Sequence, residues 1–378
     1  MMQRKLIPSL AALGIILVCI TSFQYAGWRN VGATLIGVIA GFGLYHAAFG
    51  FTGAWRRIIT ERRGIGVRAQ VVLLGLTVLG TFPMIAWGDA NAWVHPVGVG
   101  LIFGAFLFGM GMQLGGGCGS GTLFTVGGGS TRMVITLCFF IIGTMIGRSY
   151  AGWWRALPSF DRVSLLDSFG LWGALATTCA ILAVLWIIAW VVETRAHGTL
   201  EAGRPMQSLI TGTWSPWAGA VALALVGVLT MWVLNRPWGI TAAFHVWGAH
   251  LVGAVGVTGP QEGSWSWISR AQNISVFQHT TSIMDFGLIL GALAAAGLAG
   301  RFAPVWRLSG REVATAVAGG LLMGFGARLS GGCNIGAYLG GVASGSLHAW
   351  AWALAAFAGS SLVVWWRMPK AGRLQPAQ

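Results

Sequence analysis

Apolar runs about as long as a membrane-spanning helix recur along most of this chain, and this feature limits the fold more than any other. They lie at residues 6–22, 33–49, 71–87, 97–114, 133–145, 171–192, 217–234, 239–255, 283–300, 313–329 and 349–366. A helix crosses the hydrocarbon with about 20 apolar residues, whereas shorter runs are typical of half-spans. We therefore predict an all-α polytopic membrane protein with about nine transmembrane helices and short re-entrant helical loops.

The composition of the chain supports the same class. Hydrophobic residues make up 56% of the 378 residues and charged residues only 8%, whereas roughly a quarter of the residues in an average soluble domain are charged. So few charges cannot cover a water-facing surface. This excludes a soluble enzyme, a secreted disulfide scaffold and a nucleic-acid-binding domain, and it predicts one integral membrane domain, surrounded by lipid, over residues 1–378.

The charged residues are mostly arginines that lie between the apolar runs. Lys and Arg number 23 against 9 Asp and Glu, so the net charge is +14. Such an excess is typical of cytoplasmic loops of membrane proteins, and we favour this reading over a nucleic-acid partner. The most basic segment, residues 56–68, is therefore predicted to face the cytoplasm. The first run follows Arg4 and Lys5 like a signal peptide, but it has no clear cleavage site, so we expect a retained helix.

Two pairs of segments match in the same order along the chain. Residues 109–121 read GMGMQLGGGCGSG and residues 324–336 read GFGARLSGGCNIG. The second pair is 49–55 and 238–244, which places Thr52 opposite Thr241. An internal duplication is therefore predicted, with repeat one over about residues 33–155, repeat two over about 222–367 and a polar linker over about 193–208. Segment 88–96 has no Lys or Arg whereas 301–312 has three Arg, which favours inverted repeats.

The glycines before the two matching cysteines predict broken helices. Gly116 and Gly117, like Gly331 and Gly332, disfavour continuous helix by roughly 1 kcal/mol each relative to Ala. An unwound backbone cannot face lipid, so each break must line a cavity or lie buried in protein. The alternative is that these glycines only allow close helix packing. We favour a binding site because a Gly-Gly-Cys sequence recurs at matching points of both repeats.

The polar residues near these breaks favour an anionic ligand. No Asp or Glu falls in the middle of an apolar run, and Asp285 lies near the start of one; a cation pathway would normally contain such a residue. The cationic groups and donors near the breaks are Arg328, Arg236, His46, His245, Gln113 and Asn334. Arg328 could instead extend to the membrane interface, and the histidines could be packing residues.

The two cysteines of the matching segments suggest the kind of anion. A thiol is a weak S–H donor with a soft, polarizable sulfur, so Cys118 and Cys333 could pass a sulfur-bearing anion from one to the other. A disulfide between them is the competing interpretation. The five cysteines lack the spacing of a metal site, and no phosphate-binding loop of the G-x-x-x-x-G-K-[ST] type occurs. We expect no metal, no cofactor and no ATP-driven step within this chain.

Three motifs give the chain a resemblance to a known family. The segments 116–123, 236–244 and 329–337 resemble those of the YeeE/YedE family, and the similarity covers about residues 33–367. The resemblance implies a multi-pass protein of the bacterial inner membrane that takes up thiosulfate, with an hourglass of helices around a central constriction. It implies that Cys118 and Cys333 are two of the family's relay cysteines. The third position departs from the family, because Gly50 stands where a cysteine is usual.

We therefore expect a permease for a sulfur-containing anion, most simply thiosulfate, with no catalytic residue. The expected pathway residues are Cys118, Cys333, Gly116, Gly117, Gly331, Gly332, Asn334, Gln113, Arg328, His46, Thr52 and Thr241. Three alternatives stay open. The substrate could be a related sulfur or selenium oxyanion, the chain could be a membrane sulfurtransferase that forms a cysteine persulfide, or it could dock a soluble cytoplasmic sulfur-handling protein without transporting.

Overall fold

The computed structural model describes residues 2–367, with side chains from residue 6 onward, and this part of the chain is mostly helical. The helices are α1 (Met2–Ala47), α2 (Phe51–Thr60), α3 (Ile65–Ala86), α4 (Val99–Gly115), α5 (Gly119–Gly127), α6 (Thr131–Ser149), α7 (Ala151–Arg155), α8 (Leu165–His197), α9 (Pro216–Leu234), α10 (Thr241–Ala254), α11 (Trp267–Gln272), α12 (Thr280–Leu298), α13 (Gly310–Leu329), a π-helical turn (Asn334–Leu339), α14 (Gly340–Val342) and α15 (His348–Arg367). Two short strands, β1 (Pro96–Gly98) and β2 (Ser159–Arg162), pair antiparallel.

Nine helical segments between residues 2 and 367 are long and apolar enough to cross a membrane. They are Leu6–Thr60, Ile65–Ala86, Val99–Gly127, Thr131–Ser149, Leu165–His197, Pro216–Leu234, Thr280–Leu298, Gly310–Val342 and His348–Arg367. Helices satisfy their own backbone hydrogen bonds, which is what the hydrocarbon requires. The predicted all-α, multi-pass membrane class is confirmed.

Helix α1 is a hairpin of two arms. Its backbone leaves the helical conformation at Ala26 and Gly27, where Gly27 has a φ of +57°. Both arms pack on α12, but in opposite directions: Ile7 and Gly14 lie against Gly297 and Leu290, whereas Gly37 and Gly41 lie against Met284 and Leu288. The first arm is thus antiparallel to α12 and the second is parallel to it, so α1 crosses the molecule twice.

The two ends of the helical bundle differ in the loops they carry. We call the end with residues 61–64 the inner end, because the basic segment 56–68 is predicted to face the cytoplasm, and the opposite end the outer end. Helix α3 starts at the inner end, so the loop 87–95 after it lies at the outer end. The second arm of α1 runs toward the inner end, and α12 runs parallel to it. Helix α12 therefore ends at the inner end, and the loop 300–309 that follows it lies there.

Glycines hold the central helices unusually close. A Cβ at Gly109 of α4 would lie 1.9 Å from the Ala356 carbonyl oxygen of α15, and one at Gly324 of α13 would lie 2.2 Å from the Phe140 carbonyl oxygen of α6. No larger residue fits at such distances. For these two positions of the matching segments, close packing explains the glycine.

Four short helical pieces do not cross the bundle. They are α2, α5, α10 and the π-helical turn with α14. The candidate run 239–255, which has the length of a span, forms only the 14-residue helix α10, so it is one of the runs that do not cross. Hydropathy alone cannot distinguish this buried half-helix from a span. The predicted short re-entrant helices are present, while the duplication of the chain stays a prediction.

The predicted polar linker 193–208 starts inside a helix. Residues up to His197 belong to α8, and Glu193 lies fully buried beneath the inner loop. Its carboxylate accepts hydrogen bonds from Arg68 Nη1 at 2.6 Å and from the Gly64 amide at 3.1 Å, and it pairs with Arg63 at 3.4 Å. Glu193 therefore fixes the start of α3 against the end of α8.

Candidate functional site

The two cysteine segments form matching helix breaks. Cys118 follows α4 and precedes α5, and Cys333 follows α13 and precedes the π-helical turn. Their backbones are extended in nearly the same way, with φ and ψ of −85° and −166° at Cys118 and −99° and −169° at Cys333. Each carbonyl accepts a 2.8 Å hydrogen bond from the amide four residues later, at Thr122 and Ala337. Each cysteine thus starts a new helical piece.

The glycines before each cysteine make the breaks possible. Gly116 has a φ of +93°, Gly331 of +83° and Gly332 of +149°, a region that residues with a Cβ rarely adopt. A Cβ at Gly117 would lie 3.2 Å from the backbone of Gly121. Here the backbone conformation, rather than helix–helix packing, requires glycine. The predicted interruption of both helices is confirmed.

The two breaks meet in the interior. A Cβ at Gly119, the residue after Cys118, would lie 3.0 Å from Cys333 Sγ and 3.6 Å from Thr241 Cγ2. Cys118 Sγ lies 3.4 Å from Ser120 Oγ. Both cysteines are buried and both are free, so the structure contains two thiols at this point and not the disulfide of the competing interpretation.

Four helical pieces begin around this meeting point. Thr241 starts α10, and the α2 residue Phe51 packs its ring 6.0 Å from that of Tyr338 in the π-helical turn. A Cβ at Gly336 would lie 3.5 Å from Gly239 Cα. None of the four pieces has a side-chain cap at its N-terminus. The same is true of α3, α4, α11 and α12, whereas serines cap α6, α8, α9 and α13. Uncapped N-termini offer N–H donors and a positive dipole end, which suit an anion.

Two buried polar side chains at the meeting point lack hydrogen bonds. Asn334 is fully buried, and neither its Oδ1 nor its Nδ2 has a partner within residues 6–367. The same holds for Thr52 Oγ1, which is also buried. A buried polar group without a partner costs roughly 1–3 kcal/mol. These two side chains are therefore available to a ligand.

A wide cavity of about 1060 Å³ leads from the outer end to this point. Its inner limit includes Gly239, Thr241 and Gly331, so it reaches α10 and the second break. Its charged lining residues are Arg148, Arg155, Arg162, Arg270 and Arg328, and no Asp or Glu lines it in the described part of the chain. A cleft lined by charges of one sign concentrates counter-ions. Arg328, for which the sequence left two readings, belongs to this lining.

A histidine adds no charge to this cavity at neutral pH. His95 lies in the outer loop, beside Gly331 and with its ring 5.0 Å from that of His348. Burial lowers the pKa of His95 below its usual value, and the nearby positive charge of Arg162 lowers it further. The positive field of the cavity therefore comes from its arginines.

Two of the predicted site residues have structural contacts instead. Gln113 donates from Nε2 to the Thr52 carbonyl at 3.1 Å and accepts from Arg56 Nε at 3.0 Å, so its amide is used in joining α4 to α2. His46 packs at the inner end, with its ring stacked 5.8 Å from that of Trp214. The structure does not bring His46 to the two breaks.

A carboxyl group that the sequence predicts near the start of a span is buried close to the site. Asp285 is fully buried in α12. Its Oδ1 accepts a 3.1 Å hydrogen bond from the indole of Trp238, the residue just before Gly239, and its Oδ2 has no partner among the described residues. With Glu193, it corrects the inference that the membrane region lacks buried carboxylates. The signal was present, since Asp285 is the one charge in its apolar run.

Comparison with known proteins finds relatives over most of the chain. The chain is 28% identical over 350 residues to the thiosulfate transporter TsuA of Spirochaeta thermophila, an alignment that covers 88% of this chain and 97% of that protein. It is 25% identical over 326 residues to the thiosulfate transporter TsuA of Escherichia coli, with coverages of 80% and 84%. The probable transporter YedE of Salmonella typhimurium is 31% identical over 154 residues, 41% of this chain and 38% of that protein.

The family model described as Sulphur transport matches residues 46–362. This range contains both cysteine breaks, all four short helical pieces and the arginine-lined cavity, and the match confirms the YeeE/YedE resemblance. The chain therefore belongs to the sulphur-transport family of membrane proteins.

Proposed function

We propose that the protein takes up thiosulfate across the inner membrane of a bacterium. The observation that carries the proposal is the meeting of two buried, free thiols at uncapped helix N-termini beneath a cavity lined by arginines. The names of the TsuA relatives support thiosulfate as the anion. The arginines gather anions at the outer end, and the helix N-termini favour negative charge in the interior.

Each group at the meeting point has a part in the proposed pathway. Cys118 and Cys333 offer weak S–H donors to the terminal sulfur of thiosulfate. Gly116, Gly117, Gly331 and Gly332 keep the backbone of the two breaks open to the ligand, and Asn334, Thr52 and Thr241 add side-chain donors. Several weak contacts in series allow an ion both to enter and to leave. Gln113 acts by positioning α2, and His46 lies outside this pathway.

The proposed passage does not involve a covalent step. Persulfide chemistry needs an activated thiolate, yet Cys118 contacts the hydroxyl of Ser120, and Cys333 lies against Gly119. Neither of these contacts is a cationic side chain, so we propose that thiosulfate passes the two thiols without forming a bond to them. A soluble sulfur-handling protein that docks on the basic cytoplasmic loops stays a prediction.

Uptake by the purified chain tests the function. Proteoliposomes that contain only this protein should accumulate radiolabelled thiosulfate, and unlabelled thiosulfate should compete far better than sulfate, because sulfate has the same tetrahedral shape without the soft terminal sulfur. Sulfite and selenite test the related oxyanions. Accumulation no faster than in protein-free liposomes, or equal competition by sulfate, would contradict the proposal. Release of a sulfur product other than thiosulfate inside would support the persulfide alternative.

A further inference from the structure

Three arginines from separate elements converge on one turn of backbone at the inner end. Arg56 of α2 donates from Nε to Gln113 Oε1 at 3.0 Å. Arg132 of α6 donates from Nη2 to the Leu114 carbonyl at 2.8 Å, and Arg367 of α15 donates from Nη1 to the Gln113 carbonyl at 3.2 Å. All three guanidinium groups therefore surround the C-terminal turn of α4. We call them the inner arginine cluster.

The protein balances the positive charge of the inner arginine cluster only in part. The carboxylate of Glu312 lies near enough to act electrostatically on Arg132, but it forms no ion pair with it among residues 6–367. The C-terminus of a helix supplies about half of an elementary negative charge, against three guanidinium cations. The ion pairs between residues 6 and 367 involve Arg57, Arg63 and Arg68 and leave the cluster unpaired. Like charges this close are costly unless an anion joins them. A dianion bound at the cluster would therefore be stabilised by its excess positive charge.

The cluster also has hydrogen-bond donors to spare. Arg132 Nε is buried and has no partner in the described part of the chain, and Arg132 Nη1 would lie only 2.7 Å from a Cβ at Gly116. Arg56 and Arg367 are exposed, so the cluster is open to the solvent at the inner end. Planar guanidinium groups bind the oxygens of an oxyanion through paired, charge-assisted hydrogen bonds.

The cluster lies directly on the inner side of the two thiols. Gly116, which packs against Arg132, is two residues before Cys118. Gln113, whose Oε1 accepts from Arg56, donates from Nε2 to the carbonyl of Thr52 at the start of α2. An anion that leaves the thiols toward the inner end would therefore meet the cluster next.

We propose that Arg56, Arg132 and Arg367 form a second binding site, on the inner side of the constriction, for a dianionic tetrahedral oxyanion. Taking that anion to be the transported substrate rests on the proposed function; the site itself does not. The site receives the anion after the thiols, and its exposure keeps the binding weak enough for release into the cytoplasm.

Binding measurements on the full chain test the proposed site. The probe is radiolabelled thiosulfate in equilibrium dialysis against protein in nanodiscs of phosphatidylcholine alone. The parent variant carries Cys118→Ala and Cys333→Ala, which removes the thiol contacts. We expect it to bind thiosulfate still, with an affinity that falls as salt rises. Adding Arg132→Gln or Arg56→Gln should weaken this binding about tenfold or more, the effect of losing a charge-assisted hydrogen bond.

The matched control is Arg62→Gln. Arg62 is exposed on the same end and belongs to the same basic segment, but it makes no hydrogen bond or ion pair among residues 6–367. It removes one positive charge without touching the cluster and should leave binding within about twofold of the parent, as expected for a screened surface charge. Arg56 is exposed, so Arg56→Gln keeps the test valid if Arg132→Gln fails to fold.

Three outcomes would overturn the site. In the first, the parent binds no thiosulfate. In the second, the parent and both arginine variants bind thiosulfate equally. In the third, Arg62→Gln weakens thiosulfate binding as much as Arg132→Gln and Arg56→Gln do. A lipid phosphate is the other source of the same chemistry. If, in a second set of nanodiscs that also contain phosphatidylglycerol, the arginine variants change only the binding of that lipid and not thiosulfate binding, the soluble-anion site is also rejected. Uptake by the unsubstituted chain is measured in parallel. Failure of the binding test with normal thiosulfate uptake rejects this site alone, whereas absence of uptake rejects the proposed function.

Discussion

Cys333 Sγ lies against the backbone of Gly119, so close that a methyl group on Gly119 would be 3.0 Å from the sulfur. Gly119 is the residue that follows Cys118, so this contact joins the two helix breaks. Without a side chain at Gly119, the two cysteine segments approach within van der Waals distance. The remaining features of the site, the uncapped N-termini and the outer cavity, are arranged around this contact.

Replacing Gly119 should therefore slow thiosulfate uptake more than replacing a nearby glycine that has space for a side chain. In Gly119→Ala the new methyl group must displace the Cys333 side chain, and we expect thiosulfate uptake to fall about tenfold, the kinetic effect of a loss near 1.4 kcal/mol, within the usual cost of overpacking. The matched control is Gly121→Ala, whose Cβ would lie 3.5 Å from Cys118 Sγ, an ordinary contact. Initial uptake rates in proteoliposomes measure both. Equal rates for the two variants would contradict the contact.

Gly50→Cys should be tolerated and should restore a third thiol. Gly50 is the residue immediately before α2, its backbone is extended, and a Cβ there would have no neighbour within 4 Å. The position thus corresponds to Cys118 and Cys333, each of which also directly precedes a short helical piece. We expect a thermal unfolding midpoint within about 2 °C of the wild type, since the change touches no packed side chain, and uptake at least as fast. Markedly slower uptake by a stable variant would show that a third thiol hinders passage here.

The buried pair between Arg68 and Glu193 should matter more for stability than an exposed pair. Arg68→Met leaves a fully buried carboxylate without its 2.6 Å partner, and we expect a loss of about 3–5 kcal/mol. Arg57→Gln removes the exposed pairs with Glu61 and Glu201, and we expect about 0–1 kcal/mol. Thermal unfolding of the purified protein in detergent compares them. Similar midpoints for both variants would contradict the buried pair's role.

His279 should make the protein less stable in acid. It lies just before α12, and burial together with the positive charge of Arg236 lowers its pKa to about 4, below the ordinary value near 6.5. Between these values the unfolded chain binds a proton that the folded chain excludes, so stability falls as the pH falls from about 6.5 to 4. His279→Gln should flatten this slope and leave stability at pH 7.5 nearly unchanged. An unchanged slope in midpoint against pH would contradict this assignment.

Much of the fold and the centre of the site follow from local sequence signals. The apolar runs predict most of the crossings, and the recurring Gly-Gly-Cys sequence predicts where α4 and α13 end. Both signals are local, because an unwound backbone needs glycine wherever it occurs. The sequence does not indicate how the run 239–255 folds. This run is as apolar as a crossing, but it folds as a half-helix among other helices.

The charged parts of the site were harder to predict because they depend on tertiary structure. Arg148, Arg270 and Arg328 come from different helices and line one cavity only after folding. The inner arginine cluster likewise joins residues from α2, α6 and α15. Asp285 did give a signal, a single charge in an apolar run, but its bond to Trp238 requires α12 to pack beside the segment before α10.

The most direct test of the central claim is the effect of the two thiols on the choice of anion. In proteoliposomes, Cys118→Ala and Cys333→Ala should each lower thiosulfate uptake at least tenfold, as expected for a loss near 1.4 kcal/mol at the constriction. The control carries Cys138→Ala and Cys179→Ala, which replace exposed thiols and should leave uptake unchanged. If both constriction variants transport thiosulfate as fast as the control and exclude sulfate equally well, the two thiols do not form the path of the anion.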